Sequence, residues 1–109
     1  MKNLPTLTHL QFLVIGLLLE TPSAGRDLRA RLQEHGARKS GPAFYQLMAR
    51  LEDGRLVEGS YEQRSVDGQK VRERHYRATG AGKTAWRASQ DFYVNVSGRV
   101  SSPVGFSHV

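Results

Sequence analysis

Phe44, Leu47, Met48 and Leu51 recur at i, i+3, i+4 and i+7, which marks one buried stripe on a helix of 3.6 residues per turn. Ser40 stands before that helix as a cap, Pro42 falls in its first turn where a missing N–H is harmless, and Gly54 follows as a stop signal. Its other face carries Tyr45, Gln46, Ala49, Arg50 and Asp53. Upstream, residues 8–20 are apolar on nearly every side through Leu10, Leu13, Ile15, Leu17 and Leu18, the pattern of a helix at the hub of a core, with Thr8 as its cap. A second helix is expected over 23–35. Ser23 would cap it, Ala24, Leu28 and Leu32 share one face, Arg26, Arg29 and Arg31 are polar, and Gly36 can end it in a left-handed conformation. Ala37, Arg38 and Lys39 form the connector to the third helix.

From Leu56 the period changes to two. Residues 56–64 and 71–78 read as strands, and the Asp67-Gly68 pair between them is the signature of a tight hairpin turn. On the second strand Arg72, Arg74, Tyr76 and Ala78 alternate to one face, so that Tyr76 and Ala78 can sit on the core while the arginines reach past it. Thr79 caps a fourth helix expected to end near Val96, with Ala81, Ala85, Ala88, Phe92 and Val96 on a broad apolar face and Trp86 and Tyr93 beside it. A domain this small leaves that face without a partner. The pattern therefore describes an α+β fold: a winged helix-turn-helix of three helices plus a β-hairpin wing over 1–78, a C-terminal dimerisation helix over 79–97, and a flexible tail over 98–109.

Composition narrows the partners. The 109 residues, 39% hydrophobic and 24% charged, suit one small domain, and 16 Lys and Arg against 10 Asp and Glu give +6, a balance that favours phosphates or an anionic surface. With no cysteine, disulfides and thiolate metal sites are ruled out, which suits a cytoplasmic protein. The run Leu10 to Leu19 after Lys2 resembles a signal segment, but Pro5, Thr6, Thr8, His9 and Gln11 crowd its approach. It also falls short of the roughly 20 residues that cross a bilayer, so no membrane is expected. Gly80-Ala81-Gly82-Lys83-Thr84 looks like part of a phosphate-binding loop, yet Arg77 occupies the place of its first glycine. His9, His35, His75 and His108 lack metal-ligand spacing and no catalytic set converges, so neither a cofactor nor an enzymatic activity is expected.

A helix-turn-helix would insert its third helix into the major groove of double-stranded DNA. The residues so presented are Lys39, Ser40, Ala43, Tyr45, Gln46 and Arg50, joined by Arg64, Lys70, Arg72 and Arg74 of the wing against phosphates. Gln46 can pair with an adenine edge, and Arg50 can fork onto guanine or hold a phosphate. The competing reading is an interaction module that binds protein through helix four and the wing, its charge incidental.

Three blocks resemble the PadR-like family of winged-helix transcriptional regulators over about residues 8–93. They are Leu17-Leu18-Leu19-Glu20-Thr21-Pro22 before a second helix led by Gly25; Gly41-Pro42-Ala43-Phe44-Tyr45 with Leu51-Glu52-Asp53-Gly54-Arg55-Leu56-Val57; and Arg74-His75-Tyr76-Arg77-Ala78-Thr79-Gly80-Ala81-Gly82. The chain departs from the family at Ser23-Ala24-Gly25-Arg26-Asp27, where a His-Gly-Tyr run is usual, and looks like its short subgroup. The resemblance implies a homodimer built on the C-terminal helix, a pseudo-palindromic operator, repression, and release by a small-molecule effector. It also implies that Tyr45 meets the DNA backbone. Trp86 matches an aromatic that lines an effector pocket in some relatives, and Phe92 and Tyr93 share its candidacy for pocket or dimer interface.

Overall fold

The computed structural model describes residues 6–100. Its elements run α1 (His9–Glu20), β1 (Ser23–Ala24), α2 (Gly25–Glu34), α3 (Gly41–Asp53), β2 (Val57–Val66), β3 (Gln69–Ala78) and α4 (Gly80–Val100). The three strands make one antiparallel sheet in the order β1-β3-β2. This is the expected α+β winged helix with a further C-terminal helix.

Thr8 closes a reciprocal capping box with Gln11 at the start of α1. From the middle of α1, Val14, Ile15 and Leu18 are buried against Leu28 and Leu32 of α2 and Phe44, Met48 and Leu51 of α3. The predicted α3 stripe is thus core, with Leu47 half-buried at its margin. The other end of α1 is tied by Arg31 of α2, whose guanidinium donates to the Leu17 carbonyl at 3.0 Å, to Ser23 Oγ at 2.8 Å and to Glu20 at 2.9 Å. An arginine at a helix C-terminus satisfies carbonyls that have no intrahelical donor. So Arg31, read from sequence as merely polar, is a structural clamp.

Three expectations need correction. Ser23 does not cap α2: with Ala24 it pairs against Tyr76 and His75 as an edge strand, and Ala24 is the N-cap without a side-chain bond. Two residues carry too little periodicity to announce a strand. At the end of α3, Gly54 is the C-cap as expected, with right-handed angles, and Arg55 takes the left-handed place at φ 60°. The amides of Arg55 and Leu56 return to the carbonyls of Glu52 and Leu51, the bond pair that Gly36 and Ala37 make at the end of α2. The helix α4 does not stop near Val96 but continues to Val100, and residues 101–109 of the expected tail lie outside the described residues. Part of the apolar face of α4 also has a partner in its own chain, because Ala85 and Trp86 pack on the core beside α1, while Ala81 and Ala88 stay exposed.

Two glycines seat α4, Gly16 against α1 and Gly82 against the α3–β2 connection. A Cβ on Gly16 would come 2.8 Å from Trp86 Nε1, and one on Gly82 would enter the van der Waals shell of the Leu56 carbonyl oxygen. Thr79 braces the same corner: its hydroxyl donates to the Arg55 carbonyl at 2.7 Å and accepts from the Gly82 amide at 3.0 Å. Helix capping and close approach account for the small residues of the 80–84 segment.

Candidate nucleic-acid interface

The wing is a ten-residue ladder closed by Asp67 and Gly68, both at positive φ, so Val66 faces Gln69 and the register is set from the tip inward. Alternation then sorts the side chains. Tyr61, Gln63 and Ser65 share a face with Arg74, Arg72 and Lys70, whereas Glu62 and Arg64 share the other with Glu73, Val71 and His75.

The two faces treat their cations differently. On the first, the guanidinium of Arg72 lies 4.5 Å and that of Arg74 4.7 Å from the centre of the Tyr61 ring, two cation–π contacts on one exposed aromatic. Arg72 has no acidic partner among the described residues. On the second, Glu62 stands directly opposite Glu73, a repulsive cross-strand pair relieved by cations. Arg64 lies 3.3 Å and Arg26 of α2 3.0 Å from Glu73, while His75 Nε2 is 3.8 Å from Glu62 and 3.7 Å from Glu73. Arg64 is therefore engaged by an acid inside the chain.

On α3 the hydroxyl of Ser40 accepts from the Ala43 amide at 3.2 Å, so it serves the cap. Lys39 and Ala43 are half-buried, and the Lys39 carbonyl accepts from Arg29 Nε at 2.9 Å, which fixes the connector between α2 and α3. Gln46 and Arg50 are exposed. Tyr45 is 45% exposed, its ring set edge-on to Phe44 at 4.9 Å, with its hydroxyl over the start of α2, where any side chain in place of Gly25 would meet it at 2.8 Å. Gly25, Arg26, Tyr45, Tyr61, Arg72, Glu73 and Arg74 line an open cleft of about 270 Å³ where α2, α3 and the wing converge. Arg26 pairs with Glu73 and Arg74 with Glu52, so Arg72 and the two phenol hydroxyls are the groups that suit an anion.

Arg74 is held by Glu52 of α3, with Nε 3.4 Å from Oε2 and Nη2 against Oε1. That hydrogen bond raises the pKa of Arg74 above its ordinary value, although desolvation opposes it. Neighbouring Tyr76 is buried, and burial, then the nearby Glu52 carboxylate, push its phenol up to about 12.

The aromatic residues of α4 gather around Phe12 of α1. Trp86 stacks on Phe12 with centroids 5.3 Å apart and planes 4° from parallel, Tyr93 meets Phe12 edge-on at 5.7 Å, and Phe92 meets Tyr93 edge-on at 5.5 Å. Trp86 and Phe92 are half-buried and Tyr93 is 37% exposed. Sequence reasoning missed the roles of Phe12, Gly25, Glu52 and Tyr61. Of these Tyr61 was within reach, because a two-residue turn places it opposite Arg74.

Among the described residues no group of His, Asp and Glu could hold a metal ion, and no helix is long and apolar enough to cross a membrane. The model of the transcriptional regulator PadR-like family matches residues 14–88. Among solved structures, the chain is similar to a PadR family transcription regulator from Clostridium difficile at 16% identity and a TM-score of 0.75, over 90% of this chain and 100% of that one. A PadR family transcriptional regulator from Eggerthella lenta is 25% identical, with a TM-score of 0.69 over 89% and 82% of the two chains. A PadR-like transcriptional regulator from Bacillus cereus is 21% identical, with a TM-score of 0.72 over 88% and 91%. No curated protein matches the chain.

Proposed function

The chain belongs to the PadR-like family of transcriptional regulators, and from that premise we propose that it is a sequence-specific DNA-binding repressor acting as a homodimer on a pseudo-palindromic operator in the cytoplasm. The observation that carries this reading is the cleft where Tyr45 of α3 and Arg72 of the wing converge, with Gln46 and Arg50 of α3 and Lys70 of the wing exposed on the same two elements. Helix α3 enters the major groove, Gln46 and Arg50 read or anchor there, and Tyr45 and Arg72 bracket the phosphates of the strand that crosses the cleft. Lys39, Ser40 and Ala43 stand at the helix entrance, and Arg74 and Arg64 act behind this front because each already has an acid beside it.

Residues 1–78 form the DNA-binding unit and 79–97 the dimerisation helix, whose exposed Tyr93, Val94 and Val100 suit a second copy. Two recognition helices related by a two-fold axis then lie about 34 Å apart, one turn of DNA. The stacked Trp86 and Phe12 with Phe92 and Tyr93 offer flat apolar faces to an aromatic effector at that interface. Selection of bound fragments from random duplex DNA by the purified protein tests the reading. A consensus with two half-sites supports it, and Gln46→Ala then relaxes preference at one base pair by about 1–3 kcal/mol. A monomer in sedimentation that enriches no sequence refutes it and favours a protein-binding module.

A further inference from the structure

Glu52 is an acid in the last turn of α3, where the helix dipole disfavours negative charge, on a helix proposed to meet a polyanion. Neither local helix stability nor DNA attraction explains it. Its side chain is only 23% exposed and lies against the 27% exposed side chain of Arg74 in a two-point pair between the recognition helix and the second strand of the wing. The strand opposite makes room for it. A Cβ on Gly59 would stand 2.7 Å from Glu52 Oε1 and 3.0 Å from Arg74 Nε, so a larger residue there would push the pair apart. Beyond the pair, Arg74 stacks on Tyr61 and Tyr61 carries Arg72, the wing arginine without an acidic partner among the described residues. A continuous chain of contacts thus runs from α3 to Arg72 on the wing.

We propose that Glu52 is a positioning residue for DNA binding: by holding Arg74 it locks the root of the wing to the recognition helix and so sets where Arg72 meets the phosphate backbone. This rests on the DNA-binding reading. It reverses the sign that simple electrostatics gives, since removing an acid beside a polyanion site should tighten binding, whereas releasing the wing loosens it. Arg74 then acts through Glu52 and Tyr61 rather than on DNA. Two residues that act as one unit have non-additive effects, and loss of the lock should silence Arg72, which touches neither of them by charge pairing.

The test measures affinity of the full chain for a duplex it has selected, and for a random duplex of equal length, with Glu52→Ala, Arg74→Ala, both together, and each with Arg72→Ala. Glu52→Ala should weaken the selected duplex about tenfold, the double variant should be no weaker than either single one, and the loss caused by Arg72→Ala should disappear in the Glu52→Ala background. Melting temperatures run alongside; if the alanine variant is unfolded at the assay temperature, Glu52→Gln replaces it, with the same sign expected. Equal or tighter binding by the Glu52 variant, or additive effects with an undiminished Arg72 loss, overturns the proposal while leaving DNA binding intact. A parent chain that binds neither duplex overturns the DNA-binding reading and this proposal together.

Discussion

The seam between α1 and α4 and the face shared by α3 and the wing are built by opposite means. The seam is a contact of backbone and rings: Gly16 lets Trp86 of α4 close on α1, Phe12 and Trp86 lie against each other as parallel planes, and Gly82 seats the start of α4 on the Leu56 carbonyl. The surface proposed to face DNA is a relay of polar groups, Glu52 to Arg74 to Tyr61 to Arg72, mounted on a hairpin that is exposed along most of its length. Close packing tolerates little change of volume, whereas exposed charges contribute little to stability and much to recognition of an anion. Damage to the seam should therefore register as lost stability, and damage to the face as lost binding with the fold intact.

The sharpest break of that contrast is Gly82→Ala. The new methyl group meets a backbone carbonyl that cannot rotate away, so the variant should lose about 3 kcal/mol in chemical denaturation. A loss below ~1 kcal/mol would mean that α4 is not seated on Leu56 as described.

Tyr76 lies at the buried root of the wing, beside Gly25 and within the core cluster. Its phenol is raised to about 12 when folded. In the unfolded chain it ionises near pH 10, so the fold favours the neutral form. This stability is fully present below about pH 10 and is lost as pH rises from there towards 12, by roughly 2 kcal/mol, in denaturation curves recorded at stepped pH. Tyr76→Phe should flatten that alkaline loss, and an unchanged slope would place the titration elsewhere.

Trp86→Ala removes the half-buried ring from Phe12 and should lower stability by about 2 kcal/mol without altering affinity for a random duplex. Because Trp86 is the sole tryptophan, its fluorescence in the parent reports the seam directly and should red-shift at the unfolding midpoint. Unchanged stability with lost self-association would instead assign the ring to a second copy. The smallest effect expected in the seam has the other sign. Ser89 is 1% exposed with a hydroxyl that has no partner among the described residues, so Ser89→Ala should gain about 1 kcal/mol. A loss of stability would show that the hydroxyl is satisfied.

The two regions also differed in how far the chain alone disclosed them. The stripe of Phe44, Met48 and Leu51, the caps at Thr8 and Ser40 and the Asp67-Gly68 turn are local signals, and each is where periodicity places it. What escaped depends on contacts distant in sequence. The edge strand at Ser23 exists because β3 pairs with it, Phe12 matters because Trp86 lies on it, and the acids beside Arg64 and Arg74 are set by register and by the α3–wing angle. The sequence reading singled out four cations of the wing, while the fold pairs Arg64 and Arg74 and leaves Arg72 and Lys70 without acids among the described residues. Charge that is present and charge that is available are separate quantities, and only tertiary structure separates them.

The most direct test of the account is therefore the salt dependence of affinity for a selected duplex, measured for the parent, Arg72→Ala and Arg64→Ala between about 50 and 200 mM salt. The account predicts that Arg72→Ala lowers the slope of log affinity against log salt by about one unit, and that Arg64→Ala leaves it unchanged within error. Equal slopes for the two variants, or a parent chain that binds duplex DNA no better than an uncharged control, would contradict it.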